Sequence, residues 1–144
     1  MNRAIRCTLA AVLAAASLTS GPSAASASGV PVRLEVSVGH HSPPGPLYAS
    51  CEVTVPAGAD GLAVLDAAVA SGCISSYETS EFAGFGRYVA CIDAVCQVAD
   101  GLVSFWALFY EDAFAETGIE GFEAAAGRQI ELTYTTLNCW VGVC

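Results

Sequence analysis

Alternation of apolar and polar residues identifies strands near both ends of the chain. Residues 32–38 (VRLEVSV), 51–55 (CEVTV) and 129–135 (QIELTYT) switch between apolar and polar at nearly every step. A period of two is typical of strands that bury one face. The stretch 40–48 (HHSPPGPLY) contains prolines, which cannot continue a ladder. We therefore predict that the first two strands form a hairpin.

A single helix is predicted over residues 61–71. Asp60 is a suitable N-cap and Gly72 a suitable C-terminal cap. The apolar residues of one helical face are Leu62, Leu65, Ala68 and Val69.

Two more strands are predicted, over residues 87–95 and 104–110. The order of elements is strand, strand, helix, strand, strand, strand. This order predicts an α+β, β-grasp-like fold, in which one helix covers one face of a mixed sheet of about five strands. The first and last strands would run parallel at the centre of that sheet.

The first 27 residues are typical of a secretory signal peptide. They combine two arginines, an apolar run of about twelve residues and an Ala25-Ser26-Ala27 cleavage motif. We expect cleavage after Ala27, and a single secreted domain over residues 28–144 without a membrane-inserted segment. The chain has a net charge of −9 and no lysine, which argues against binding to nucleic acid.

Six cysteines follow the predicted cleavage site, which indicates three disulfides in an exported chain. We expect Cys91 to pair with Cys96 across a turn. The pairing among the other four, at one pole of the domain, stays open: Cys51, Cys73, Cys139 and Cys144. No metal site is expected, because no zinc-type cysteine spacing occurs and the only histidines, His40 and His41, are adjacent in a Pro-rich stretch.

The strand over residues 104–110 (SFWALFY) is apolar on both faces. One face packs under the helix, and the other needs cover from a loop, a ligand or a partner. The nearby stretch 81–86 (EFAGFG) places Phe85 between two glycines, which either shape a turn or let the backbone approach a flat group. Phe85 and Tyr110 are therefore candidate ligand-binding residues.

Four short motifs occur in the order found in the C-terminal β-domain of transcobalamin and intrinsic factor. They are YET at 77–79, FWAL at 105–108, GIEGF at 118–122 and GRQIEL at 127–132. From Arg33 to Thr136 the chain resembles a bacterial family related to that domain. The resemblance implies a β-grasp-like binding module with cobalamin as a candidate ligand, and makes Trp106, Ala107 and Leu108 candidate site residues. Where the carriers tend to have a glutamine, this chain has Ala107.

The sequence leaves three classes of function to consider. The first is a secreted, non-enzymatic binding module for a corrinoid or another flat, partly apolar ligand, or for a surface protein. The alternative is a protein–protein module or protease-inhibitor-like domain that presents the 40–48 loop. An enzyme is not expected, because no base, nucleophile or phosphate loop accompanies the loop carboxylates at a recognisable spacing. Those carboxylates are Asp93, Asp100, Glu111 and Asp112.

Overall fold

A computed structural model describes residues 28–38, 47–98 and 104–136. Within these ranges the chain forms β-strands, one α-helix and one 3₁₀ turn. In order they are β1 (Gly29–Val38), β2 (Leu47–Pro56), α1 (Gly61–Ala70), β3 (Tyr77–Phe82), β4 (Gly86–Ile92), β5 (Val95–Cys96), β6 (Ser104–Tyr110), β7 (Ala113–Phe114), the 3₁₀ turn η1 (Ile119–Gly121) and β8 (Arg128–Thr136).

The main sheet has five strands in the order β2-β1-β8-β6-β7. Strands β1 and β8 run parallel, and the other neighbours run antiparallel. Because the first and last long strands are neighbours inside this sheet, the predicted mixed sheet of an α+β fold is confirmed.

The core lies between this sheet and α1. Leu34 of β1 pairs with Ile130 of β8, and both side chains are fully buried. They pack with Val64 and Leu65 of the helix in one apolar cluster. The alternation seen in the sequence follows from this arrangement, because every second side chain of β1 and β8 faces the helix.

The helix begins at the predicted residue, Gly61, and ends at Ala70, one residue before the predicted end. The Asp60 carboxylate accepts a hydrogen bond from the Ala63 N–H at 3.0 Å. At the other end Gly72 has φ +75°, and the N–H groups of Gly72 and Cys73 donate to Val69 and Ala68. This left-handed cap ends the helix and directs Cys73 back toward the sheet.

The third predicted strand does not belong to the main sheet. Residues 87–95 divide into β4, a turn at Asp93 and Ala94, and the start of β5, and these strands form a second sheet in the order β3-β4-β5. Strand β3 (YETSEF) was not predicted, because it is mostly polar and its side chains are largely exposed.

Two disulfides lie within the described residues. The predicted Cys91–Cys96 bridge is confirmed and joins directly paired residues of β4 and β5. Cys51 pairs with Cys73 and connects β2 to the residue after the helix cap. Cys139 and Cys144 lie outside the described residues, as do the predicted signal peptide and positions 39–46. In the described part of the chain, no helix combines the length and hydrophobicity that crossing a bilayer requires.

The turn between β4 and β5 is held by the Asp93 carboxylate. It accepts hydrogen bonds from the Ser75 N–H at 2.6 Å, the Ser76 N–H at 3.0 Å and the Tyr48 hydroxyl. These contacts link the turn to β2 and to the segment before β3. The hydrogen bond from Tyr48, together with those from the Ser76 and Ser75 backbone, lowers the pKa of Asp93 below its ordinary value of 3.8.

Asp93→Asn should lower the free energy of unfolding at pH 7 by about 1 kcal/mol, because the amide cannot accept all three hydrogen bonds. Asparagine tolerates the left-handed backbone at this position, where φ is 51°. Since the pKa of Asp93 is lowered in the folded state, its stabilisation is present above pH 3.8 and is lost as the pH falls through the lowered value. Urea unfolding at several pH values should show the difference between the two proteins shrinking below about pH 4. A constant difference would contradict this role.

Candidate functional site

A cavity of about 530 Å³ lies between the edge of the main sheet and the second sheet. Its volume is within the range of about 300–1,000 Å³ that is typical of small-ligand sites. Residues of the second sheet and of the segment after it form one wall: Phe82, Phe85, Tyr88, Val89, Gln97 and Val98. The facing wall consists of Ser104, Phe105, Trp106, Ala107, Leu108 and Phe114.

The edge of β6 has a gap in its hydrogen bonding at this cavity. On the side away from β8, the Ser104 N–H donates to the Val98 carbonyl at 3.1 Å, and the Leu108 carbonyl accepts from the Ala115 N–H at 2.9 Å. Backbone groups of an antiparallel strand alternate between its two sides. The N–H and C=O of Trp106 therefore point to the same side, and no hydrogen bond among the described residues takes them up.

The gap is short because the edge is paired at both of its ends. From Ser104 to Leu108 the strand extends by roughly 13 Å, at about 3.3 Å per residue. A long added strand would collide with Val98 at one end and with β7 at the other. This gap instead suits a compact chemical group that forms hydrogen bonds with the backbone of a single residue, Trp106.

Trp106 lines the cavity, and its ring joins the two sheets. Its Nε1–H donates to the Val95 carbonyl of β5 at 3.0 Å, and its ring lies 5.2 Å from that of Tyr134, measured between centroids. The Tyr134 hydroxyl donates to the Cys96 carbonyl at 2.8 Å. Only 4% of Trp106 is exposed, so the ring is held in place by its neighbours.

The tip of the β3–β4 hairpin forms the opposite end of the cavity. Gly84 and Gly86 have φ of +85° and +96°, which allows a tight turn around Phe85. The Phe85 carbonyl accepts from the Gly118 N–H at 2.7 Å. A β-carbon on Gly118 would overlap the backbone of Arg87. Of the two roles considered for the glycines, the structure shows the turn.

Three apolar side chains surround the mouth of the cavity. Phe82 is 66% exposed, Val98 48% and Phe114 47%. Apolar side chains clustered in this way at the rim of a cavity are typical of an interaction surface. We call Phe82, Val98 and Phe114 the rim.

The structure brings together four of the five ligand-site residues predicted from the sequence. Phe85, Trp106, Ala107 and Leu108 all line the cavity. Tyr110 does not, because its ring packs on Phe122 and its hydroxyl donates to the Gly118 carbonyl at 2.6 Å. Burial raises the pKa of Tyr110 to about 12. Sequence reasoning missed the polar residues Tyr88 and Gln97, which carried no signal there beyond their nearness to the aromatic segments.

The loop carboxylates Asp93, Glu111 and Asp112 are not among the residues that line the cavity. Asp93 holds its turn, and Glu111 accepts from Arg128 Nε at 3.1 Å and from the Gln129 N–H at 3.0 Å. Glu111 and Asp112 form the tight turn between β6 and β7, both with positive φ. Asp100, His40 and His41 lie outside the described residues. Within those residues, no cluster of three or more histidine, cysteine or acidic side chains could hold a metal ion.

Comparisons with known proteins identify the fold. No family model and no curated protein matches the sequence. Among solved structures, haptocorrin in complex with Cbi matches with a TM-score of 0.61 and 20% identity, over 76% of this chain and 26% of that chain. The fold is transcobalamin-like. The matched part is thus about a quarter of haptocorrin.

A second solved structure is similar over almost its whole length. It is a suggested metal-binding protein from Ruminococcus gnavus ATCC 29149, with a TM-score of 0.53 and 14% identity, over 74% of this chain and 97% of that chain. At these identities both comparisons concern the fold alone.

Trp106→Phe and Phe82→Ser should differ sharply in their effect on stability. The first removes buried volume and the hydrogen bond to Val95, and should lower the free energy of unfolding by roughly 1–3 kcal/mol. The second changes an exposed rim residue and should cost under about 0.5 kcal/mol. Urea unfolding of both variants measures this. Equal losses would mean that the rim is part of the core.

Proposed function

We propose that this chain is an exported, non-enzymatic binding domain whose cavity takes a flat, partly apolar ligand, with a corrinoid as the leading candidate. The observation that carries the proposal is the cavity itself. It is lined by aromatic and aliphatic side chains, bordered by an exposed apolar rim, and open onto the backbone of Trp106, which no hydrogen bond among the described residues takes up.

The rim supports a ligand that extends beyond the cavity. Phe82 and Phe114 lie on opposite walls and both remain largely exposed. Burying apolar surface stabilises a complex by about 25 cal/mol for each Å² removed from water. A flat ligand that inserts one edge and leaves a broad face against the rim would bury both rings.

The gap in β6 supports a ligand with hydrogen-bonding groups on its periphery. The Trp106 backbone presents a donor and an acceptor beside apolar surface. Small-ligand sites combine apolar lining with a few placed polar groups in this way. A corrinoid, an apolar macrocycle that carries polar side chains, has this combination.

The fold likeness to haptocorrin, solved in complex with Cbi, makes corrinoids the first ligands to test. Export is supported by the two disulfides, which persist in oxidising compartments. The non-enzymatic role is supported by the structural use of Asp93 and Glu111, whose carboxylates hold turns outside the cavity lining. The alternative that uses the 40–48 loop remains a prediction from sequence, since only Leu47 and Tyr48 of that loop are described.

Titration with cobinamide tests this function. The oxidised protein, recovered after export, would carry Trp140→Phe, so that Trp106 is the only tryptophan. We expect saturable quenching of Trp106 fluorescence, and equilibrium dialysis should give the same affinity. The double variant Phe82→Ser/Phe114→Ser should weaken binding by at least about fivefold, because it removes apolar contact area.

The matched control is Tyr48→Ser, since Tyr48 is a large exposed side chain outside the cavity lining. It should leave the cobinamide affinity unchanged. Absence of saturable binding up to about 1 mM would contradict corrinoid binding. Binding that the rim variant does not weaken would place the ligand elsewhere.

A further inference from the structure

Among the described residues that line the cavity, none has a charged side chain. Its polar side chains are the Tyr88 hydroxyl, the Gln97 amide and the Ser104 hydroxyl. Gln97 Nε2 donates to the Tyr88 oxygen at 3.0 Å, which joins β4 to the segment after β5. This polar pair, Tyr88 and Gln97, stands in an otherwise apolar wall.

The hydrogen bond inside the pair leaves two donors and the Gln97 carbonyl acceptor available. Tyr88 still has its O–H proton to donate, and Gln97 still has its second Nε2–H to donate and Oε1 to accept. A carboxamide complements both, because its NH₂ can donate to Oε1 while its carbonyl accepts from Tyr88. A carboxylate only accepts, so it could bond to the Tyr88 O–H and the second Gln97 Nε2–H but would offer no donor to Oε1.

The charge distribution also disfavours an anion in this cavity. The nearest described cation on β4, Arg87, is engaged by Glu120 at 3.4 Å and Glu81 at 3.9 Å. The chain has a net charge of −9. An anion would lose its hydration without gaining a cationic partner, and would approach against the field of the whole protein.

We propose that the Tyr88–Gln97 pair makes this cavity selective for ligands that carry neutral carboxamides over the same ligands carrying carboxylates. This inference rests on the proposed function in assuming that the cavity binds a ligand, but it does not require a corrinoid. On the facing wall, the Trp106 N–H and C=O, which have no partner among the described residues, present a second donor and acceptor for the same kind of group.

Two matched pairs of probes test the selectivity at pH 7. One is 2-naphthamide with 2-naphthoate, and the other is cobinamide with cobyrinic acid, whose side chains are carboxylates. Equilibrium dialysis should give at least about tenfold tighter binding of each amide than of its acid, since burying an unpaired charge is costly. Equal affinities, or tighter binding of the acids, would overturn the proposal.

The two probe pairs separate this inference from the corrinoid function. If naphthamide binds selectively and cobinamide does not bind, the corrinoid function fails and the selectivity stands. If both corrinoids bind equally well, the function stands and the selectivity fails. If neither amide binds, both proposals fail.

Substitutions test whether the Tyr88–Gln97 pair is responsible for the selectivity. Tyr88→Phe keeps the ring and removes the donor, so the amide affinity should fall about two- to tenfold and the amide-to-acid ratio should narrow. Tyr48→Phe is the matched control, because Tyr48 is exposed and bonds to Asp93 outside the cavity lining. It should leave both affinities unchanged.

Gln97→Glu is a second, nearly isosteric variant that does not alter the aromatic wall. Its carboxylate would accept from Tyr88 and occupy the free donor. We expect about tenfold weaker binding of naphthamide and still weaker binding of naphthoate. An unchanged amide-to-acid ratio in both variants would show that the pair does not set the selectivity.

Discussion

The junction of the two sheets depends on the backbone of the two-residue strand β5. Its Val95 and Cys96 carbonyls accept hydrogen bonds from Trp106 and Tyr134 of the main sheet. The Cys91–Cys96 disulfide ties the same strand to β4. Strand β5 is therefore bonded on both sides, covalently to the second sheet and by hydrogen bonds to the first.

A second junction lies at the other end of the cavity. There Gly118, the residue just before η1, donates to the Phe85 carbonyl of the β3–β4 turn and accepts from the Tyr110 hydroxyl. The absence of a side chain at Gly118 allows the backbone of Arg87 to pass close by. The two sheets are held at these two places, and between them no other described residue pairs with the edge of β6 at Trp106. The cavity is a consequence of this spacing.

The main sheet could be predicted from the sequence because three of its long strands carry their own signal, the alternation of apolar and polar residues. Strands β1, β2 and β8 have one buried and one polar face, and this appears directly as alternation. The helix could also be predicted, since Asp60 and Gly72 cap its two ends. Strand β3 was not, because it is a polar edge strand stabilised by pairing with β4 rather than by burial of its own side chains.

The candidate site could be predicted only where aromatic residues cluster in the sequence. Phe85 was identified in this way and Trp106 through the resemblance of its motif to the transcobalamin β-domain, and both line the cavity. Tyr110 lies on the same strand, but its hydroxyl donates to the Gly118 carbonyl. The position of Gly118 depends on the path of the chain before η1, which the sequence pattern does not predict. Gln97 and Phe114 reach the cavity from segments that are ordinary in sequence, so their roles depend on tertiary structure alone.

Amide hydrogen exchange at Trp106 tests the account most directly. The central claim is that the cavity binds its ligand against the unpaired edge of β6. In the free protein the Trp106 N–H should exchange faster than those of Phe105 and Ala107, which face β8. Saturating cobinamide should slow exchange at Trp106 by at least about tenfold, because the ligand takes up or covers that N–H. Unchanged exchange at Trp106 with cobinamide at saturating concentration would contradict the claim.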